Sequence, residues 1–258
     1  MRLFLRSAST LIGLGSILAG LTLWAAIVHS GLISTRFLPS PFAIFGEIVK
    51  LLDEGYVGTS FYRHIGASLT RTLIGFAAAV ICGIPIGLLI GRNKLLEAAF
   101  VPWFSFLRPI PAIAFVPLVI LWFGIGEFSK ISVIFFSSFL YITVSTVAAV
   151  KAVPVQLLRA GTSLGATNRK LFFYVMFPAA LPQILTAVRI GSAISWTLVV
   201  AAELVAAQSG LGYMIMDAST FFRVTDVYVG LIVIGIVGFL LESIIAFVEI
   251  RVIHWSGK

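Results

Sequence analysis

Charge is what this chain has least of: 11% of its 258 residues are Asp, Glu, Lys or Arg, against about 25% in an ordinary soluble domain. So few charges cannot cover a water-facing surface. With 60% hydrophobic residues and a mean hydropathy of +1.10, most side chains must face lipid or one another. Cysteine is nearly absent. Cys82 stands alone inside an apolar run, which excludes an internal disulfide and a cysteine metal cluster and reads as a small buried side chain. No G-x-x-x-x-G-K-[ST] stretch occurs, so the chain has no P-loop to cradle ATP phosphates. His29, His64 and His254 are scattered without ligand spacing, which argues against a metal site. No Ser/His/Asp set lies at workable spacing either, so the sequence does not read as an enzyme. The net charge of +8 could suggest nucleic acid. The basic residues, however, punctuate apolar runs rather than clustering with aromatics on a polar face.

Long apolar runs are what the chain has in abundance. A helix crossing the ~30 Å hydrocarbon core needs about 20 apolar residues. Six stretches meet or approach this: Leu11 to Val28, Leu73 to Ile90, a kinked stretch from Leu95 to Phe123, Ile131 to Val150, Ile184 to Ala202, and Val227 to Val248. The first follows Arg2 and Arg6 as a signal peptide would. It is long for one, and Val28-His29-Ser30 is a poor cleavage site, so it reads as a retained span. The fold class expected is therefore an all-α membrane protein with six transmembrane helices and both termini on one side. With the termini cytoplasmic, ten of the 18 basic residues fall on the inner side, among them Arg92, Lys94, Lys151, Arg159, Arg169 and Lys170; six fall outside. The positive-inside rule favours that orientation.

Gly75, Ala79, Gly83, Gly87 and Gly91 recur at steps of four, placing a small-residue stripe on one helix face where another backbone can approach. Between the first two spans, Leu-Pro-Ser-Pro at 38–41 precedes Phe45, Ile48, Val49 and Leu52. That spacing predicts a short amphipathic helix. The chain divides into 1–66 (first span and outer segment), a five-helix core over 67–250, and a tail over 251–258. The core contains a hydrophilic inner loop at 152–182.

That loop is the most informative segment. Pro154 starts it, Gln156 to Leu164 has helical spacing, Gly165 offers a turn, and Thr167 can cap a second helix through Phe177. Pro178 and Pro182 are expected to break or bend the chain before it re-enters lipid. A projecting helical hairpin with apolar positions suits either a docking surface or a plain interfacial hairpin.

The loop resembles the cytoplasmic coupling loop of binding-protein-dependent ABC importer permeases. Arg159, Ala160 and Gly161 stand where the family has Glu-Ala-Ala, Gly165 matches its glycine, Val175 its apolar residue, and Phe177-Pro178 its closing Leu-Pro. Ser68-Leu69-Thr70-Arg71, Leu107 to Pro111, Phe123 to Gly126, Ala202 to Ala207, Ser209 to Tyr213 and the closing His254-Trp255 resemble the taurine, sulfonate, nitrate and bicarbonate branch. The resemblance implies a type I ABC importer permease fold in a bacterial inner membrane, carrying a small organic anion. It implies a coupling surface at Leu158, Arg159, Ala160, Gly161, Leu164, Gly165 and Ala166. It further implies partners: a pair of ATP-binding subunits that hold the ATP, a second permease copy, and a periplasmic or lipid-anchored substrate-binding protein. The chain itself would bind no cofactor.

A cargo path is sought among polar residues inside spans, because a charge at mid-bilayer costs ~2.5–3.5 kcal/mol and favours a cavity. Two readings of Arg108 stand. If 95–107 is upright, its planar fork lies near mid-membrane and suits a sulfonate or carboxylate; if that stretch lies flat, Arg108 snorkels. Ser195, Trp196 and Glu203 are further candidates, Glu203 with a base to pair with near the outer gate. Arg189 reads as a residue snorkelling to the inner face. A secondary transporter or channel would call for intramembrane carboxylates or repeats; Glu242 lies within an expected span, Glu97 at the edge of another, and no clear repeat is found.

Overall fold

The computed structural model describes residues 2–253, with side-chain surroundings from Leu11 onward except at Ala206. The His254-Trp255 pair and Lys258 lie outside the described residues. The chain is helical: α1 (Arg2–His29), α2 (Pro41–Glu54), α3 (Phe61–Arg92), α4 (Lys94–Leu107), α5 (Val116–Phe123), α6 (Glu127–Lys151), α7 (Val155–Ser163), α8 (Asn168–Leu171), α9 (Phe177–Ala206), α10 (Leu211–Thr220) and α11 (Val224–Val252). Among the described residues, five stretches are long and apolar enough to cross a membrane: Leu11–His29, Phe61–Arg92, Glu127–Lys151, Asn168–Val205 and Val224–Val252. The sixth candidate is a bent pair, α4 with Ala112–Phe123, meeting at 92°. The kink expected between Leu95 and Phe123 is therefore present. Pro109 and Pro111 each remove an amide donor; Arg108 keeps helical dihedrals as the last residue bonded into α4, and the chain has left the helix by Pro111, which stands at ψ 126°.

Contacts divide the chain into two compact units. One comprises the chain up to His64 with Met214–Val233; the other comprises Ile65–Tyr213 with the chain from Ile234 on.

In the first unit, Ser40 caps α2 by accepting the Ala43 amide at 3.1 Å, and Pro41 starts the helix. The protein-facing side of α2 is Ile44 and Leu51, both buried. The short helix expected from the spacing of Phe45, Ile48, Val49 and Leu52 forms, with Phe45, Val49 and Leu52 exposed. At the turn after α2, the Tyr56 hydroxyl donates to Asp217 at 2.7 Å, and Arg223 lies 4.8 Å over the Tyr56 ring. Burial and the Asp217 carboxylate push the phenol well above its usual range. A cavity of about 910 Å³ opens beside this turn, lined by Arg36, Glu47, Lys50 and Asp226 among others.

The second unit is a bundle centred on α3, α6 and α9. The stripe on α3 lies against α6, where a methyl group on Gly75 would stand 2.8 Å from Ile134, on Gly87 2.6 Å from Thr146, and on Gly91 2.9 Å from Val150. Only glycine allows this approach over four turns of helix. Ala149, Val150, Val153, Ala180 and Ile184 form the buried core beneath, with Ile84 and Leu88 of α3 packed on it. Cys82, expected to be buried, is exposed. The glycines take the packed face of α3, so Cys82 falls with Ile81, Ile86 and Leu89 on the uncovered face, where an apolar side chain suits hydrocarbon.

Candidate functional site

Two features of the second unit stand at opposite ends of α9. The first is the hairpin of α7 and α8. Gly165 adopts φ +79°, and the Gly165 and Ala166 amides donate back to Thr162 (2.9 Å) and Gly161 (3.0 Å), closing α7 with a left-handed cap. Gly161 is the point where the two arms touch, since a methyl group there would lie 2.7 Å from Leu171. Leu158 anchors the base of the hairpin on the core around Val153 and Ala180. Away from that base the apolar side chains are uncovered: Val155, Leu157 and Tyr174 are exposed, and Leu164 at the tip is 88% exposed. Arg159 and Ala160 are exposed, Ala166 partly so. Arg159 makes no ion pair among the described residues.

The hairpin does not break away from the membrane helix. Thr167 caps α8, and a π-helical turn at Phe172–Met176 leads straight into α9. The Phe177 amide bonds the Phe172 carbonyl, five residues back. Pro178, which has no amide to give, follows directly on that wide turn, and Pro182 is carried inside the helix. Of the break or bend expected at these prolines, the break is absent: Asn168–Val205 is continuous helix.

The second feature is a buried charge cluster at the far end of α9. Arg71 of α3 is 3% exposed. Its Nε and Nη2 donate to the two oxygens of Glu127 at 2.6 and 2.7 Å, and its Nη1 donates to Glu203 at 2.6 Å. The same guanidinium holds the Ser209 carbonyl at 2.7 Å and the Ser209 hydroxyl at 3.2 Å. Glu203, 1% exposed, also accepts from Ser68 at 2.8 Å and from the Gly212 amide at 2.9 Å. Ser68 in turn accepts from the Leu211 amide at 2.9 Å. Lys130 joins through Glu127 at 3.1 Å. Two cations therefore meet two carboxylates, and every guanidinium nitrogen has a partner. That completeness is what makes buried charge tolerable.

Glu203 thus has its base, and the base is Arg71. The sequence reading assigned Arg71 to an outer loop because the apolar run begins at Leu73, whereas α3 begins at Phe61. The available signal was local: Ser68 and Arg71 are one helical turn apart on one face. Ser195 and Trp196 also face inward. Ser195 is fully buried and hydrogen-bonds Ser138 of α6 at 2.7 Å; Trp196 donates to the Ile234 carbonyl of α11 at 3.0 Å. Both tie helices together. Arg108 is exposed at the α4 elbow and forms no ion pair among the described residues. Arg189, far from free, is half-exposed and bonds Glu242 at 3.1 Å, with Glu249 3.8 Å away.

Residues 83–254 match the family described as binding-protein-dependent transport system inner membrane component. The chain belongs to this family. It is a permease subunit of an ABC importer, with ATP hydrolysis left to a partner ATPase. Its relatives include the taurine transport system permease protein TauC of Escherichia coli, 37% identical over 98% of this chain and 92% of that protein. The nitrate import permease protein NrtB of Synechocystis is 36% identical over 86% and 82%. Among solved structures, the inward-facing MetNI methionine ABC transporter superposes with a TM-score of 0.65 at 21% identity, covering 77% of this chain and 96% of that one. This last likeness speaks for the fold alone.

Proposed function

We propose that this permease imports a small organic anion of the sulfonate class, with taurine the first to test, and that it takes mechanical work from its ATPase through the hairpin. The observation that carries the reading is the hairpin itself. An uncovered apolar tip around Leu164 stands on a rod that continues without a break through α9. Such a tip has no reason to remain in water unless a groove receives it. Leu158, Arg159, Ala160, Gly161, Leu164, Gly165 and Ala166 form the docking surface. The hairpin and both termini face the cytoplasm, two copies of the chain enclose the path, and a binding protein delivers cargo from the other side. Over the sequence divisions, 67–250 is the transporting core and 1–66 its peripheral addition.

The taurine relative supports the cargo class, and the nitrate relative makes inorganic anions the alternative. Arg108 is the residue proposed to meet the anion, because its donors carry no ion pair within the chain. Co-purification with the cognate ATPase, followed by ATP-driven taurine uptake into proteoliposomes, tests the whole reading. Gly165→Val places a β-branched residue where φ is +79°. Uptake is expected to fall while the subunits still fold; unchanged uptake and assembly would show that the hairpin is not the coupling element.

A further inference from the structure

The charge cluster is costly to bury, and an apolar core of the same volume would hold three helices at least as well. What an apolar core could not do is grip backbone. Arg71, Glu203 and Ser68 together bond the Ser209 carbonyl and the Leu211 and Gly212 amides, which is the turn joining α9 to α10. Glycine at 210 and 212 lets that turn close on the Glu203 carboxylate. A methyl group at Gly212 would lie 2.8 Å from Glu203, and Gly210 holds φ +123° against the same carboxylate. Glu203 is itself three residues from the end of α9.

α9 has 30 residues, about 45 Å at ~1.5 Å per residue, and its other end continues as helix through the π-turn into α8 of the hairpin. We propose that Arg71 and Glu203 are positioning residues for transport: they form the fixed stop at the far end of the α9 rod, so that displacement of the hairpin is resisted until cargo is present. This rests on the coupling role proposed above. A rod pushed at one end and unheld at the other would move without doing work, and ATP would be spent without cargo.

The test uses the complete permease–ATPase complex in nanodiscs, with no binding protein and no solute, and reads ATP hydrolysis. Glu203→Gln removes the charge while keeping size and an acceptor oxygen. Basal hydrolysis is expected to rise about fivefold, the lower end of ordinary coupling energies. Should that variant not assemble, Ser68→Ala leaves Arg71, Glu127 and Glu203 charged and paired while removing the hydroxyl that donates to Glu203 and accepts the Leu211 amide; basal hydrolysis is then expected to rise by a smaller factor. A merely structural cluster would lower yield and melting temperature without raising hydrolysis. Assembled variants that hydrolyse ATP at the wild-type basal rate overturn the proposal. Taurine uptake by the wild-type complex, measured separately, judges the permease reading on its own.

Discussion

The two ends of α9 reverse the usual placement of side chains. At one end a guanidinium and a carboxylate are sealed inside protein; at the other, leucine, valine and tyrosine stand uncovered. The inversions have different remedies. Buried charge is made tolerable within the chain, by a partner on every donor and acceptor. Exposed apolar surface receives no such remedy from the chain, and under the coupling role proposed above its cover is the ATPase. On that reading the first belongs to folding and the second to assembly, even though one helix carries both.

That contrast can be broken most forcefully at Glu203. Glu203→Ala strands a buried Arg71 and is expected to cost about 3–5 kcal/mol, read as lost thermal stability of the purified chain; a loss near zero would mean that water reaches the cluster. Gly87→Leu, in the uncharged contact between α3 and α6, is expected to cost about 1–3 kcal/mol through overpacking against Thr146, measured the same way. Arg189→Gln provides the intermediate case. Its pair with Glu242 has the same chemistry as the Arg71 pair, but the two side chains are 44% and 51% exposed from the chain, so a smaller loss than that of Glu203→Ala is expected. A loss as large as that of Glu203→Ala would show that this pair is dehydrated in the assembled protein. Leu164→Asp closes the series. The permease's own stability should stay within about 0.5 kcal/mol, while the amount of ATPase retained on purification drops sharply. Equal retention would remove the reason for the exposed tip.

Much of this architecture was legible in the residues because its signals are short-range. The apolar runs marked the spans, and the four-residue glycine period marked the α3 face that α6 covers. The turn at Gly165 and the cap at Thr167 outlined the hairpin. Proline gave a misleading signal: Pro178 and Pro182 look like breaks until the π-turn at Phe172–Met176 shows how the chain accommodates the first of them. Cys82, expected to be buried, misled for a related reason. In a membrane, apolar side chains are satisfied whether protein or lipid covers them, so composition does not say which.

From its composition and periodicity alone, this protein was bound to be helical, membrane-crossing and without an ATP site of its own, because each of those properties depends on residues within a few turns of one another. Pairing Arg71 with Glu203, 132 residues apart, could only be decided by three helices packing closely enough to exclude water. The same holds for the inward turn of Ser195 and Trp196. Each depends on which neighbour occupies the space beside a side chain, and that is a property of the folded bundle rather than of any local stretch.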